Sequence, residues 1–100
     1  MSALATTEPL ELPARLDLLA AETLRGDLLD RREGADILLL SGREVSLIDT
    51  PAIQVLLSAA NDQTARGGRL ILREPSPAIA EAMVILGLED VLESWRESNE

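Results

Sequence analysis

Residues 45–72 read VSLIDTPAIQVLLSAANDQTARGGRLIL, and the order of signals within this stretch decides the fold. Ile53, Leu56, Leu57 and Ala60 stand at i, i+3, i+4 and i+7, the spacing of one buried helix face. The helix predicted over TPAIQVLLSAANDQTAR stops at Gly67-Gly68, and RLILR then reads as a short strand. The glycine pair suits a helix-to-strand turn; with no lysine and no G-x-x-x-x-G-K pattern it is not a phosphate cradle. At the other end Thr50-Pro51 reads as a helix start, with threonine as the cap and proline at the first helical position, the cap being worth about 1 kcal/mol. Ser76-Pro77 repeats the device, which favours a purely structural role for Thr50. Yet only Thr50 carries an acidic neighbour, Asp49, at the end of a strand's loop.

Upstream, ADILLLSG (35–42) is an apolar run without alternation, as expected of a central strand covered on both faces. Before it, Ala21, Leu24, Leu28 and Leu29 define one face of a helix from about residue 19 to 32, with Asp17 or a neighbour as cap and Gly34 at its end. Gly26 lies inside this helix at a cost of about 1 kcal/mol relative to alanine, through close packing or simple tolerance. In PLELPARL (9–16), Leu10 and Leu12 alternate about Glu11, the pattern of a strand with one buried face, which ends or bulges at Pro13. Residues 3–6 are expected to add a short partner strand.

Downstream, SPAIAEAMVILG (76–87) is a helix with Ser76 as cap, Pro77 first and Gly87 past its end, where Leu88 closes hydrophobically over the terminus. EDVLESWRESNE (89–100) gives a further turn or two through Val91, Leu92 and Trp95, with Trp95 as a core plug and residues 96–100 as a frayed tail. Strand, helix, strand, helix, strand, helix in this order specifies one α/β domain over residues 1–100, since parallel neighbours need crossovers of right-handed sense.

Composition removes most chemistry. The 100 residues contain no cysteine and no histidine, which excludes disulfides, thiolate zinc sites and imidazole-based catalysis; no cofactor is expected. All nine basic residues are arginine against eighteen acidic ones, a net charge of −9 that repels nucleic acid and anionic membrane surfaces. No apolar stretch approaches the roughly eighteen residues of a membrane span, and MSALATTEPLEL lacks the features of a secretory signal, so a cytosolic protein without membrane insertion is expected. The partner to look for is another protein. Glu89, Asp90 and Glu93 read as a solvated face.

Four pieces in order, LPARLDLLAAETLRGDLL, DILLL, VSLIDTPAIQVLLSAANDQTARGGRLIL and AIAEAMVILGLEDVL, together resemble a STAS domain, the module of anti-sigma factor antagonists and of sulphate transporter tails. The Ile48-Asp49-Thr50 triplet is the most specific element and LGL at 86–88 a weaker one. The resemblance implies a small mixed sheet of four or five strands flanked by helices, no catalysis, and binding to an anti-sigma factor or a serine kinase-like protein in bacterial signal transduction and transcription regulation. It makes Thr50 the phosphoacceptor candidate. Asp49 would then contact the kinase or its metal-bound nucleotide environment, while Ser46, Pro51, Ala52 and Gln54 shape a docking surface formed by the 41–50 loop and the second helix. The family commonly places two small or hydroxyl residues, then glycine and a hydrophobic residue, after the aspartate; here Thr50, Pro51, Ala52 and Ile53 stand there. A family branch in phospholipid transport places threonine directly after the aspartate. The alternative is therefore a non-enzymatic subunit of a lipid-transport ATPase complex or a chemotaxis assembly, in which Thr50 touches its partner and is never modified.

Overall fold

The computed structural model describes residues 8–96. The strands are β1 (Leu10–Glu11), β2 (Arg15–Leu16), β3 (Ile37–Ser41), β4 (Leu47–Ile48) and β5 (Arg69–Arg73), and the helices are α1 (Leu18–Arg31), α2 (Thr50–Ala65), α3 (Pro77–Ile85) and α4 (Glu89–Trp95). The strand expected at residues 3–6 and the frayed tail beyond Arg96 lie outside the described residues.

The α/β architecture is present with β3 at the centre of a three-stranded sheet of order β1-β3-β5. Leu10 pairs with Leu40, and Leu38 and Leu40 pair with Leu70 and Leu72. The other two strands form a separate ladder, Arg15 with Leu47 and Leu16 with Ile48. Each pairing among the described residues is parallel, whereas the resemblance implies a mixed sheet. Pro13 explains the division of the first strand. The Leu12 amide still donates to Ser41, but proline offers no donor, and the chain resumes pairing only at Arg15, now with β4.

One core gathers Leu38, Leu40, Leu70 and Leu72 from the sheet with Leu24 and Leu28 of α1, Ile53 and Leu56 of α2, Ile79 and Met83 of α3, and Leu92 and Trp95 of α4. Trp95 is a core plug, as its position in the sequence suggests. The expectation that β3 is covered on both faces holds fully for one face and in part for the other, where Ser41 is buried, Leu39 half-buried and Ile37 exposed. An apolar run does not report which face meets the core, since alternate side chains point to opposite sides. Leu29, expected on the buried face of α1, is also exposed, at 45%.

The helix ends follow the sequence closely. Asp17 caps α1, its carboxylate accepting from the Ala20 amide at 3.0 Å, and Ser76 caps α3 by accepting from Ile79 at 3.3 Å. At the end of α3 the Leu88 amide donates to the Met83 carbonyl and that of Gly87 to Val84, and half-buried Leu88 packs against the core. The end of α2 has the same bonds, Gly68 to Gln63 and Gly67 to Thr64. There the buried Gln63 side chain also donates to the carbonyls of Ala35 and Asp36, at 2.7 and 3.1 Å, which ties α2 to the loop before β3.

Two glycines separate tolerance from necessity. A Cβ on Gly26 would meet nothing within 4 Å, so this residue is tolerated rather than required. A Cβ on Gly68 would lie 2.0 Å from the Asp36 carbonyl oxygen, a backbone atom that cannot step aside. Gly26→Ala is therefore expected to stabilise the fold by about 1 kcal/mol, and Gly68→Ala to destabilise it by about 2 kcal/mol or more. Urea unfolding gives both as midpoint shifts at constant slope; a Gly68→Ala protein as stable as the parent would contradict the close approach.

Candidate functional site

The candidate residues converge where the β2–β4 ladder ends and α2 begins. The Ala14 carbonyl accepts from the amides of Ser46 and Leu47, at 2.8 and 3.1 Å, and from the Ser46 hydroxyl at 3.1 Å. One step further the Asp49 amide donates to the Leu16 carbonyl at 2.9 Å. The chain from Ser46 to Asp49 is thus held to β2 along its length.

The helix does not start where the sequence places it. Asp49, not Thr50, is the cap: it is extended, with φ −99° and ψ 162°, and its carbonyl accepts from Ile53 at 3.2 Å, the first bond of the helix. Thr50 is the first helical residue and Pro51 the second. The two hydroxyl-proline steps therefore differ, because Ser76 does cap and does precede its helix. The physical cause is the bond from Asp49 to Leu16, which holds Asp49 in the extended geometry of the ladder and lets helical dihedrals begin one residue later. The Thr50 side chain is exposed and has no capping role.

Asp49 is exposed and its carboxylate makes no capping bond. Pro51 is half-buried and Gln54 exposed, both facing the groove between α1 and α2. Ser46 is exposed, with its hydroxyl engaged by Ala14. Ala52 corrects the expectation of a docking residue: it has 0% exposure and belongs to the core, because its place on α2 faces the sheet. The surface at this corner is made by Asp49, Thr50, Pro51 and Gln54, with Ser46 behind them.

Sequence reasoning missed the neighbours of this corner. Leu16 pairs with Ile48, so α1 starts beside α2, and Leu18 and Leu19, 62% and 81% exposed, stand at the same end of the molecule as Thr50. A two-residue strand leaves no periodic signal, so only the ladder reveals this proximity.

Among the described residues no group of three or more His, Cys, Asp or Glu is placed to hold a metal ion, and no helix is long and apolar enough to cross a membrane. What the corner offers is a hydroxyl and a carboxylate without partners among the described residues, beside exposed apolar surface.

The comparisons with known proteins bear on the fold and the family. No curated protein matches the chain. Among solved structures it is similar to the anti-sigma factor antagonist SpoIIAA in its unphosphorylated form, with a TM-score of 0.72 at 21% identity over 95% of this chain and 84% of that one. At this identity the likeness establishes the fold. The family model described as Mlab, STAS domain matches residues 3–93. The chain belongs to the STAS domain family.

Proposed function

We propose that this protein is a non-enzymatic STAS module that acts by binding another protein through the Asp49–Gln54 corner, and that phosphorylation of Thr50 controls the binding. The observation that carries this reading is the shift of the cap from Thr50 to Asp49, which leaves the threonine hydroxyl exposed and free of structural duty. The likeness to an anti-sigma factor antagonist, whose structure is described as unphosphorylated, supports an anti-sigma factor or serine kinase-like partner in the cytosol. As one domain over residues 1–100, the protein would present this corner as its working face.

The effect of a phosphate can be derived from the corner itself. Pro51 has no N–H, and the amides of Ala52 and Ile53 are taken by the Asp49 carbonyl, so the helix start offers few donors to hold a phosphate in place. The group would add about 1.5 to 2 negative charges beside the Asp49 carboxylate. It would stand outward, in the partner's path, and act by repulsion and desolvation at the interface while the fold stays as it is.

A second reading has its own support. The Mlab description of the matching family and the threonine directly after the aspartate favour a permanent subunit of a larger assembly, such as a lipid-transport ATPase complex, in which Thr50 is a contact and never a switch.

Incubation with ATP and the kinase encoded nearest the gene is expected to place phosphate on Thr50, read by mass spectrometry. Thr50→Glu should weaken partner binding at least about tenfold with the unfolding midpoint unchanged. A Thr50→Glu protein that binds as the parent does would remove the switch, and a tightly bound partner with unmodified Thr50 would favour the permanent subunit. The caps give an independent check: Asp17→Ala is expected to cost about 1 kcal/mol of stability, while Asp49→Ala costs less than about 0.5 kcal/mol and changes binding instead.

A further inference from the structure

α1 and α2 leave the β2–β4 ladder at the same end and run side by side to the parallel strands β3 and β5. Between them lies a groove of about 390 Å³. Leu28, Leu38, Val55 and Ala59 form its floor; exposed Arg25 and Leu29 edge it on α1, and exposed Gln54 and Ser58 edge it on α2. It opens at Pro51, next to Thr50, and extends to Asp62 and Gln63, near the 2.6 Å ion pair between Arg32 and Asp62.

We propose that this groove receives one amphipathic helix of the partner protein, laid along α2, with a carboxylate of that helix on Arg25. The proposal rests on the reading of the chain as a protein-binding module and names the form in which the partner arrives.

Backbone chemistry selects a helix over an extended segment. The floor is apolar and presents no sheet edge, so an extended chain pressed into it would leave its amides and carbonyls without partners, whereas a helix satisfies its own. Length agrees: Pro51 to Gln63 spans roughly 18 Å of helix axis, about three turns of a second helix. The charge of the rim selects the sign. In a molecule of net charge −9 the groove carries two arginines against one aspartate. Asp62 is already paired with Arg32, and Arg25 makes none of the ion pairs among the described residues. The unspent positive charge therefore calls for an acidic residue beside the apolar anchors of the incoming helix. Continuity completes the argument, since a helix seated here ends against Pro51 and Gln54, within reach of the Thr50 corner.

The test is a titration of the isotope-labelled full chain with a stapled helical peptide of about 15 residues, bearing leucines at i, i+3, i+4 and i+7 and glutamates beside them. A counterpart with lysine in place of glutamate is the control. Saturable amide shifts are expected at Arg25, Leu29, Val55 and Ser58, with the glutamate peptide bound at least about fivefold tighter. Arg25→Glu should invert that preference, and Ser58→Trp, which fills the groove from an exposed position, should abolish binding with the unfolding midpoint retained. Absence of saturable binding, shifts that map elsewhere, or an Arg25→Glu protein with unaltered preference would overturn the proposal. So would decanoate shifting the groove where the peptide does not, which would make it a small-ligand site, or a dimer of the free protein that covers these residues. An intact peptide titration beside a failed Thr50 switch removes the switch alone; a failed titration beside Thr50-dependent partner binding removes the groove alone.

Discussion

Two parallel rungs, Arg15 with Leu47 and Leu16 with Ile48, and the bond from the Asp49 amide to the Leu16 carbonyl set the position of the candidate corner and of the groove beside it. They bring together two chain segments that each turn into a helix within a residue or two. Asp17 and Asp49, one step beyond the last rung on either strand, become the caps of α1 and α2. Because both helices begin at one end, their positive termini lie side by side with an acidic residue at each, a favourable placement that needs no basic side chain nearby. The same geometry makes the helices parallel neighbours and so creates the groove between them.

The ladder also decides which oxygen at the helix start is committed. Asp17 spends its carboxylate on the Ala20 amide, whereas Asp49 caps with its carbonyl alone and leaves its carboxylate outside. A residue held by strand pairing on one side and helix bonding on the other has little freedom to turn its side chain inward. The consequence is a corner with two unspent groups, Asp49 and Thr50, on a rigid mount. Such a mount suits recognition, because a group added there changes what a partner meets without disturbing what the corner is built on.

Much of this was legible from the sequence, and the exceptions share a cause. Among the described residues the helices, three of the five strands and the caps at Asp17 and Ser76 follow from periodicity and local chemistry, which act within a few residues. The start of α2 did not, because the Thr50-Pro51 step matches a standard cap and only the distant Leu16 carbonyl moves the boundary back by one residue. β2 and β4 were hidden for the same reason: strands of two residues exist only through each other. Ala52 was placed on the docking face by adjacency to Thr50, but a helix turns about 100° per residue, so its next-nearest neighbour can face the core. Leu29 and Leu39 show the converse, apolar residues whose composition promises burial that the local geometry does not supply.

The arginines give the electrostatics of the surface its direction. Arg31 donates to the Glu8 carbonyl, Arg32 pairs with Asp62 and Arg43 with Glu11, so these three fasten separate segments of an acidic chain to one another, while Arg96 pairs with Glu93 at the end of α4. Among the described residues Arg25 joins no such pair, and it sits on the groove's edge. For an acidic partner the net charge of −9 opposes approach, but at physiological ionic strength that field decays over about 8 Å, while a contact made at the groove feels Arg25 at close range. Salt therefore acts in two opposite ways, easing encounter and weakening the final contact. A phosphate at Thr50 would add to the repulsive side at the same end of the groove, where short-range attraction has the least to offset it. The balance at this corner is narrow because the chain is acidic nearly everywhere else, and on the proposed reading a narrow balance would let one hydroxyl control binding.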